Sequence, residues 1–313
     1  ASRGQDHRIV ALVDAAGQVM AGCFDHARNR LPHAPRAADN ADPCHVLSNP
    51  DSSYRTRFGM TARMARNVPR NKFGVIAGEG FMKPIRTIVV LTGAGVSAES
   101  GLQTFRAADG LWEDHRVEDV ATPEAFARDP ALVQRFYDMR RAAIMAARPN
   151  PAHAALARLD AAWPGELLIV TQNIDDLHER AGARRVLHMH GEGLSAWCTA
   201  CDARLRWTGT LLDDPPCPSC GARALRPDIV WFGEMPYRMD EIFAAVREAD
   251  LFVSIGTSGA VYPAAGFVRQ ARECGARTLE LNLERSQGST WFHESRLGPA
   301  SAVVPEWVEE VLA

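Results

Sequence analysis

A wholly apolar run of β-branched residues that ends in glycines restricts this chain more than any other feature. Thr87-Ile88-Val89-Val90-Leu91 leads through Thr92 into Gly93-Ala94-Gly95-Val96-Ser97-Ala98. A run without polar alternation suits a strand buried on both faces, as in parallel sheets. Similar runs recur at 167–171, 251–255 and 278–283, with weaker ones at 185–188 and 302–304. Helical stretches such as 240–248 and 263–274 separate several of them. Strands alternating with helices predict an α/β chain built on a Rossmann-like parallel sheet. Two stretches break the alternation. Residues 113–162 read as a helical insertion, strongest over 130–147, and residues 191–226 are rich in Cys, Pro and Arg. Both are assigned to a second, smaller zinc-binding and helical lobe.

The glycine segment fits the dinucleotide fingerprint, with alanine in the third small position. Its glycines allow a tight turn and close approach of backbone to a pyrophosphate, and a following helix N-terminus favours negative charge. A dehydrogenase of this type carries an acidic residue at a second strand end about 20 residues on. Here that region reads Ala-Ala-Asp-Gly-Leu-Trp-Glu-Asp and has no strand character. The departure argues against hydride transfer.

Cys198-x2-Cys201 and Cys217-x2-Cys220 are separated by fifteen residues. Four thiolates at this spacing suit one tetrahedral zinc, and a closed four-cysteine set leaves no position for substrate, so the metal is expected to be structural. Cys23, Cys44 and Cys274 have no cysteine at ligand spacing.

Two further clusters follow strands. Thr171-Gln172-Asn173-Ile174-Asp175 sits at a predicted strand's C-terminal end, where ligands bind in open α/β sheets. It reads equally as a recognition loop or as a turn capped by its own Asn and Asp. In His188-Met189-His190-Gly191-Glu192 one histidine has the right chemistry for a general base. The same spacing also fits a metal pair, although the cysteines already complete a zinc set, or a plain surface loop.

Charge bears on what the chain binds. The formal net charge is −3. Residues 1–82 carry a balance of +4 and the remainder −7, which does not encourage a nucleic-acid reading of the cysteine module. No Gly-Lys-Ser/Thr occurs, which excludes a P-loop. No apolar run approaches a membrane span, no signal-peptide order is visible, and a reducing cytoplasm is the expected compartment. Residues 1–82, poor in apolar periodicity from 29 to 70, read as a mostly disordered extension, either a regulatory arm or an upstream addition. Met82 is a natural start for the folded part, 83–313.

In order, GAGVSAESGLQTFR (93–106), TQNIDDLHERAG (171–182), HMHGE (188–192), the two cysteine pairs, IVWFGEMP (229–236), SIGTSGAVYPAAG (254–266) and ELNLE (280–284) resemble the sirtuin family of NAD-dependent protein deacylases. The similarity spans about residues 85–313 and is closest to bacterial class III sirtuins. It implies that Gly93, Ala94, Gly95 and Ser97 meet the NAD phosphates and that Phe105 and Arg106 cover the cofactor. Gln172 and Asn173 are expected at the nicotinamide-side ribose, and Asp175 at the carboxamide. Gly256, Thr257 and Ser258 are expected at phosphate and ribose, and Asn282 at the adenosine end. The histidine before glycine is the family's base, which selects His190 over His188. Val230, Phe232 and Gly233 match the segment that receives the acylated peptide as an added strand.

The implied reaction consumes NAD. The acyl oxygen of the modified lysine attacks the ribose carbon bearing nicotinamide, and nicotinamide leaves. His190 then takes a proton from a ribose hydroxyl, driving acyl transfer to the sugar. Lysine and O-acyl-ADP-ribose are released. Tyr137 and Arg140, three apart on the predicted helix, match a Tyr-x-x-Arg pair that binds the distal carboxylate of succinyl- or malonyl-lysine in class III sirtuins. Ala121 matches a small residue that keeps that pocket roomy. The expected substrates are acetyl- and succinyl- or malonyl-lysine in proteins, with no membrane or direct nucleic-acid partner. A zinc-bearing dehydrogenase, a nucleic-acid zinc module and protein ADP-ribosyl transfer are the competing readings.

Overall fold

The computed structural model describes residues 84–103 and 115–313, together with the backbone of Leu12–Val13, Val19–Met20 and Leu111–Trp112. The chain divides into two units, residues 1–41 and residues 42–313. In the first, Leu12–Val13 pairs antiparallel with Val19–Met20. The rest of the expected disordered extension lies outside the described residues.

The second unit is organised by a six-stranded, all-parallel sheet. Its strands are β1 (Thr87–Thr92), β2 (Glu166–Thr171), β3 (Val186–His188), β7 (Leu251–Ile255), β8 (Arg277–Asn282) and β9 (Glu294–Leu297). Their order across the sheet is β9-β8-β7-β1-β2-β3. The chain winds outward from β1 in both directions, so β1 and β7 meet at a topological switch point.

Burial on both faces explains the apolar runs. Ile88 and Val90 of β1 face one layer, with Leu167, Ile169, Val253 and Leu281. Helices α3 (Pro151–Ala162) and α6 (Ala300–Leu312) complete that layer. Val89 and Leu91 face the other, against α4 (Met239–Glu248) and α5 (Phe267–Glu273). The start of α3 is set by Asn150, whose side chain accepts from Ala152 N, with Pro151 in the first turn and His153 Nδ1 accepting from Asn150 N in return.

The second lobe combines α2 (Pro130–Ala146), two shorter helices (Val117–Val120 and Pro123–Arg128) and a three-stranded antiparallel sheet. That sheet contains β4 (Gly191–Cys198), β5 (Arg204–Arg206) and β6 (Leu225–Ile229), ordered β6-β4-β5. Among the described residues no helix is long and apolar enough to cross a membrane.

Two sequence expectations change, and one strand is added. The apolar triplet 302–304 lies inside α6, whose buried Val304, Trp307, Val308 and Val311 follow helical spacing; three residues are too few to distinguish a strand from a helix. β9 went unread because Glu294-Ser295-Arg296 is polar, as edge strands tolerate. Helix α3, the last part of the 113–162 insertion, packs on α6 and the parallel sheet instead of the second lobe, because Ala152, Ala155, Leu156 and Leu159 form one apolar stripe.

Candidate active site

At the switch point two loops interlock through their glycines. Gly93 N donates to Ile255 O (3.0 Å) and Gly95 N to Gly256 O (2.7 Å). A Cβ at Gly93 would lie 2.8 Å from Thr257 Cβ, and one at Gly95 2.8 Å from the Gly256 Cα. Gly256 has φ +61°, and a side chain there would overlap the Val96 nitrogen. The three glycines are therefore needed first for the approach of the two loops. Helix α1 (Gly95–Ala98) is a single turn, so its macrodipole is small and the expected helix-terminus contribution reduces to local N–H groups.

The end of β2 supplies a buried polar cluster below this cradle. Asn173 Nδ2 donates to Ser97 Oγ (3.1 Å), and Ser97 Oγ donates to Asp175 Oδ2 (3.0 Å). His153 Nδ1 accepts from Asn150 N, so its Nε2–H faces Ser97 Oγ at 3.4 Å. Burial pushes the Asp175 carboxyl up and holds His153 down at about 4, so His153 is neutral. His178 lies 5.0 Å from His153, ring to ring, and its Nε2 contacts Thr92 Oγ1 (3.0 Å). Burial lowers its pKa well below the ordinary value.

The two histidines of the 188–192 segment have different surroundings. His188 Nδ1 contacts Asn173 O (3.0 Å) and its Nε2 contacts Glu179 Oε1 (2.8 Å). Burial opposes charge on His188, but the Glu179 carboxylate and the Asn173 carbonyl outweigh it, and its pKa is raised. Among the described residues the His190 ring hydrogen-bonds to one partner, the carbonyl of Gln172, through Nδ1 (3.1 Å), and burial lowers its pKa. Its Nδ1 carries the proton, and its neutral Nε2 is left as an acceptor. A ring with one committed nitrogen and a depressed pKa suits a general base; a ring held by two acceptors does not.

On the opposite wall Tyr137 is 2% and Arg140 5% exposed. Trp231 Nε1 donates to Tyr137 Oη (3.1 Å), and the Arg140 guanidinium donates to Gln103 O at 3.4–3.5 Å. Burial raises the Tyr137 pKa, so the phenol stays protonated. Trp231 is held in turn by Arg226, stacked 3.4 Å from its ring centroid and paired with Glu234 at 2.7 Å. Val230 N donates to His190 O and Phe232 N to Ala121 O, both at 2.9 Å. Gly233 has φ +93° and Phe232 is 43% exposed.

One cleft of about 940 Å³ joins these parts. Gly93, Ala94, Gly95, Ser97, Gln172, Asn173, Asp175, Gly256, Thr257, Ser258 and Asn282 line it, as do His190, Ala121, Tyr137, Arg140, Val230, Phe232 and Gly233. Phe105 and Arg106 lie outside the described residues. The glycine cradle and the buried amide and carboxylate below it suit a dinucleotide's phosphates and carboxamide. Sequence reasoning missed His153, Asn150, Trp231 and Arg226. Asn150-Pro151 was legible as a helix start, but the contacts of the others depend on packing alone.

The four cysteines gather elsewhere. Their sulfurs all lie within 4.8 Å of one another, with Cys198–Cys220 at 3.7 Å and Cys201–Cys217 at 3.9 Å. Tetrahedral zinc with ~2.3 Å bonds sets sulfurs about 3.8 Å apart, so the set fits that ion. Both pairs share one turn: Asp202 N donates to Cys198 O and Gly221 N to Cys217 O, with φ +61° at Asp202 and +76° at Gly221. β4 separates His190 from Cys198 by roughly 25 Å at about 3.3 Å per residue, which suits a structural metal. Cys274 stands outside the set.

Comparison with known proteins identifies relatives. The Sir2 family matches residues 93–263. A protein of Bdellovibrio bacteriovorus named NAD-dependent protein deacylase is 56% identical over 74% of this chain and 99% of its own length. One of the same name from Salmonella typhimurium is 58% identical over 72% of this chain and 84% of its own. Among solved structures, a Sir2 homologue bound to NAD superposes with TM-score 0.67 at 39% identity, covering 73% of this chain and 91% of that one. A Sir2–p53 peptide–NAD+ complex superposes with TM-score 0.62 at 28% identity, covering 72% and 94%.

Proposed function

The chain belongs to the Sir2 family, and from that premise we propose that it is an NAD-dependent protein-lysine deacylase with His190 as its base. It removes acyl groups from lysine side chains of proteins, releasing nicotinamide and O-acyl-ADP-ribose. The observation that carries the reading is the single cleft whose walls include the glycine cradle, His190 and the Tyr137–Arg140 pair. NAD, when bound, supplies the sugar that accepts the acyl group and the bond to nicotinamide that is given up.

The chain's own residues divide the work. Gly93 to Gly95 and Gly256 to Ser258 form the cradle in which the phosphates lie, the N–H groups of Gly93, Gly95 and Gly256 being committed to carbonyls that hold the two loops together, and Asn282, whose Nδ2 donates to Thr257 O (2.9 Å), braces the second loop beside the adenosine end. Gln172 and Asn173 hold a ribose, and Ser97 orients Asn173 and Asp175 through the hydrogen bonds it makes to both. His190 accepts a hydroxyl proton at Nε2, and the Gln172 carbonyl stabilises the imidazolium that results. Phe232 and Gly233 lie where a peptide enters, and the acyl chain runs toward Ala121. Cys198, Cys201, Cys217 and Cys220 would hold one structural zinc.

The finer reading concerns acyl choice. A protonated Tyr137 and the guanidinium of Arg140 make a charge-assisted site for a distal carboxylate, which favours succinyl- and malonyl-lysine with deacetylation retained. Mass spectrometry of succinyl- and acetyl-lysine peptides incubated with NAD tests both levels. His190→Tyr should lower turnover of both peptides by about 10²–10⁴-fold, and Arg140→Met should abolish that of the succinyl peptide. Unchanged desuccinylation by Arg140→Met removes the acyl assignment; unchanged turnover by His190→Tyr removes the base.

A further inference from the structure

Helix α2 presents two adjacent faces. Tyr137, Arg140 and Ile144 face the cleft. Asp138 and Arg141, one residue further round each time, face the zinc-bearing lobe. Arg141 is 1% exposed, and its guanidinium makes three separate contacts. Nη1 pairs with Asp138 Oδ1 and donates to Gly209 O at 3.2 Å, and Nε donates to Gly193 O at 3.1 Å. Asp138 accepts from Leu211 N at 3.1 Å, from Leu212 N at 3.3 Å and from the Thr210 hydroxyl. The loop 209–212 so gripped lies between the two cysteine pairs, and Leu211 is buried with Cys198 and Cys217 in the small core of the cysteine module. Gly193 is the third residue of β4, and a Cβ there would sit 2.5 Å from Ile144 Cδ1. The helix that carries the acyl-facing pair therefore rests directly on the strand joining His190 to Cys198.

We infer that Asp138 and Arg141 are positioning residues for acyl selectivity, locking the cleft face of α2 to the zinc module so that Tyr137 and Arg140 meet a distal carboxylate in register. The inference rests on the reading that Tyr137 and Arg140 recognise that carboxylate. The physical reason is tolerance. A charge-assisted, directional contact loses strength with small shifts or rotations of the helix, whereas an acetyl group asks only for apolar space. Loosening the clamp thus acts on one substrate class and spares the other.

The test compares Asp138→Asn, Thr210→Val and the double variant Asp138→Asn/Arg141→Met with the wild type. The double variant avoids stranding a buried guanidinium without its counter-ion. KM and kcat are measured for succinyl- and acetyl-lysine peptides at saturating NAD, with zinc content and thermal melting alongside. The expected result is about a tenfold rise in succinyl-peptide KM for Asp138→Asn and the double variant, and a smaller rise for Thr210→Val. Acetyl-peptide KM should change less than twofold, with one zinc retained per chain. A parallel loss for both peptides, or no change in either, overturns the inference. Arg140→Met is the companion control. If it leaves desuccinylation intact, the underlying reading falls and this inference with it; if it abolishes desuccinylation while the clamp variants keep wild-type selectivity, the inference alone falls.

Discussion

His190 and Gln172 are joined by one hydrogen bond, ring Nδ1 to backbone carbonyl at 3.1 Å, and it leaves Nε2 as the acceptor of the ring. Because burial lowers the His190 pKa below 6.5, kcat/KM should rise with pH, reach half its plateau below 6.5 and stay flat through neutrality. Activity should belong to the neutral ring and be lost as pH falls through its pKa. His190→Tyr should lose about 10²–10⁴-fold in kcat while NAD binding persists. A pH profile with its rising limb above 7 in the wild type argues for a different base.

Tyr137→Phe keeps the ring but removes the hydroxyl that accepts from Trp231 Nε1. Hydrogen bonds to charged groups contribute about 1.5–3 kcal/mol, so succinyl-peptide KM should rise about ten- to a hundredfold, against a small change for the acetyl peptide. Steady-state kinetics with both peptides measures this. Equal losses would mean the hydroxyl serves packing rather than recognition.

Gly256→Ala forces a side chain at φ +61° against the Val96 backbone. Strain of this kind costs about 1–3 kcal/mol, and relief requires the two switch-point loops to part. Thermal melting should drop by several degrees and NAD affinity by more than tenfold, read by calorimetry. Wild-type NAD affinity in this variant would remove the cradle assignment.

His153 and His178 make stability depend on pH. Both have folded pKa values depressed by burial from 6.5, to about 4 for His153. As pH falls below 6.5 the unfolded chain takes up protons that these folded rings refuse, so stability falls, by up to about 1.4 kcal/mol per pH unit for each group. His188, with its raised pKa, works the other way, its contribution complete below 6.5 and lost as pH rises through the folded value. His178→Gln should melt with a shallower dependence between pH 7 and 5 than the wild type. Identical slopes would assign the acid sensitivity to other groups.

Cys217 is buried and Cys220 exposed, yet both should matter equally if one ion binds all four thiolates. Cys217→Ser and Cys220→Ser should each lose zinc, lower the melting temperature and depress turnover, although the site is remote from His190. Metal content by mass spectrometry under native conditions is the check. Full zinc occupancy in Cys220→Ser would mean the set is not a closed tetrahedron.

Much of this was legible because the relevant signals are local. β1, β2, β7 and β8 announce themselves as apolar runs, since burial on both faces leaves no room for polar alternation. Asp129-Pro130 and Asn150-Pro151 mark helix starts through the geometry of their own side chains. What stayed hidden depends on distant partners. Nothing near His188 in sequence shows that Glu179 will sit 2.8 Å from its ring and separate it from His190. The pairing of β7 with β1, which creates the switch point, is likewise invisible until the sheet is assembled. The Asp138–Arg141 grip on 209–212 joins segments that share no motif.

The adjacency of β1 and β7 has a consequence in time. Thr87 donates to Asp250 across 163 positions of chain, and the cradle of Gly93, Gly95 and Gly256 forms only when those ends meet. During synthesis the first glycine loop must wait, apolar strand attached, until more than half of the chain has followed it from the ribosome. A contact of such sequence separation is slow to form and leaves a strand edge exposed meanwhile. The nascent protein can therefore gain nothing from NAD early on, and the nucleotide stabilises only the nearly finished chain.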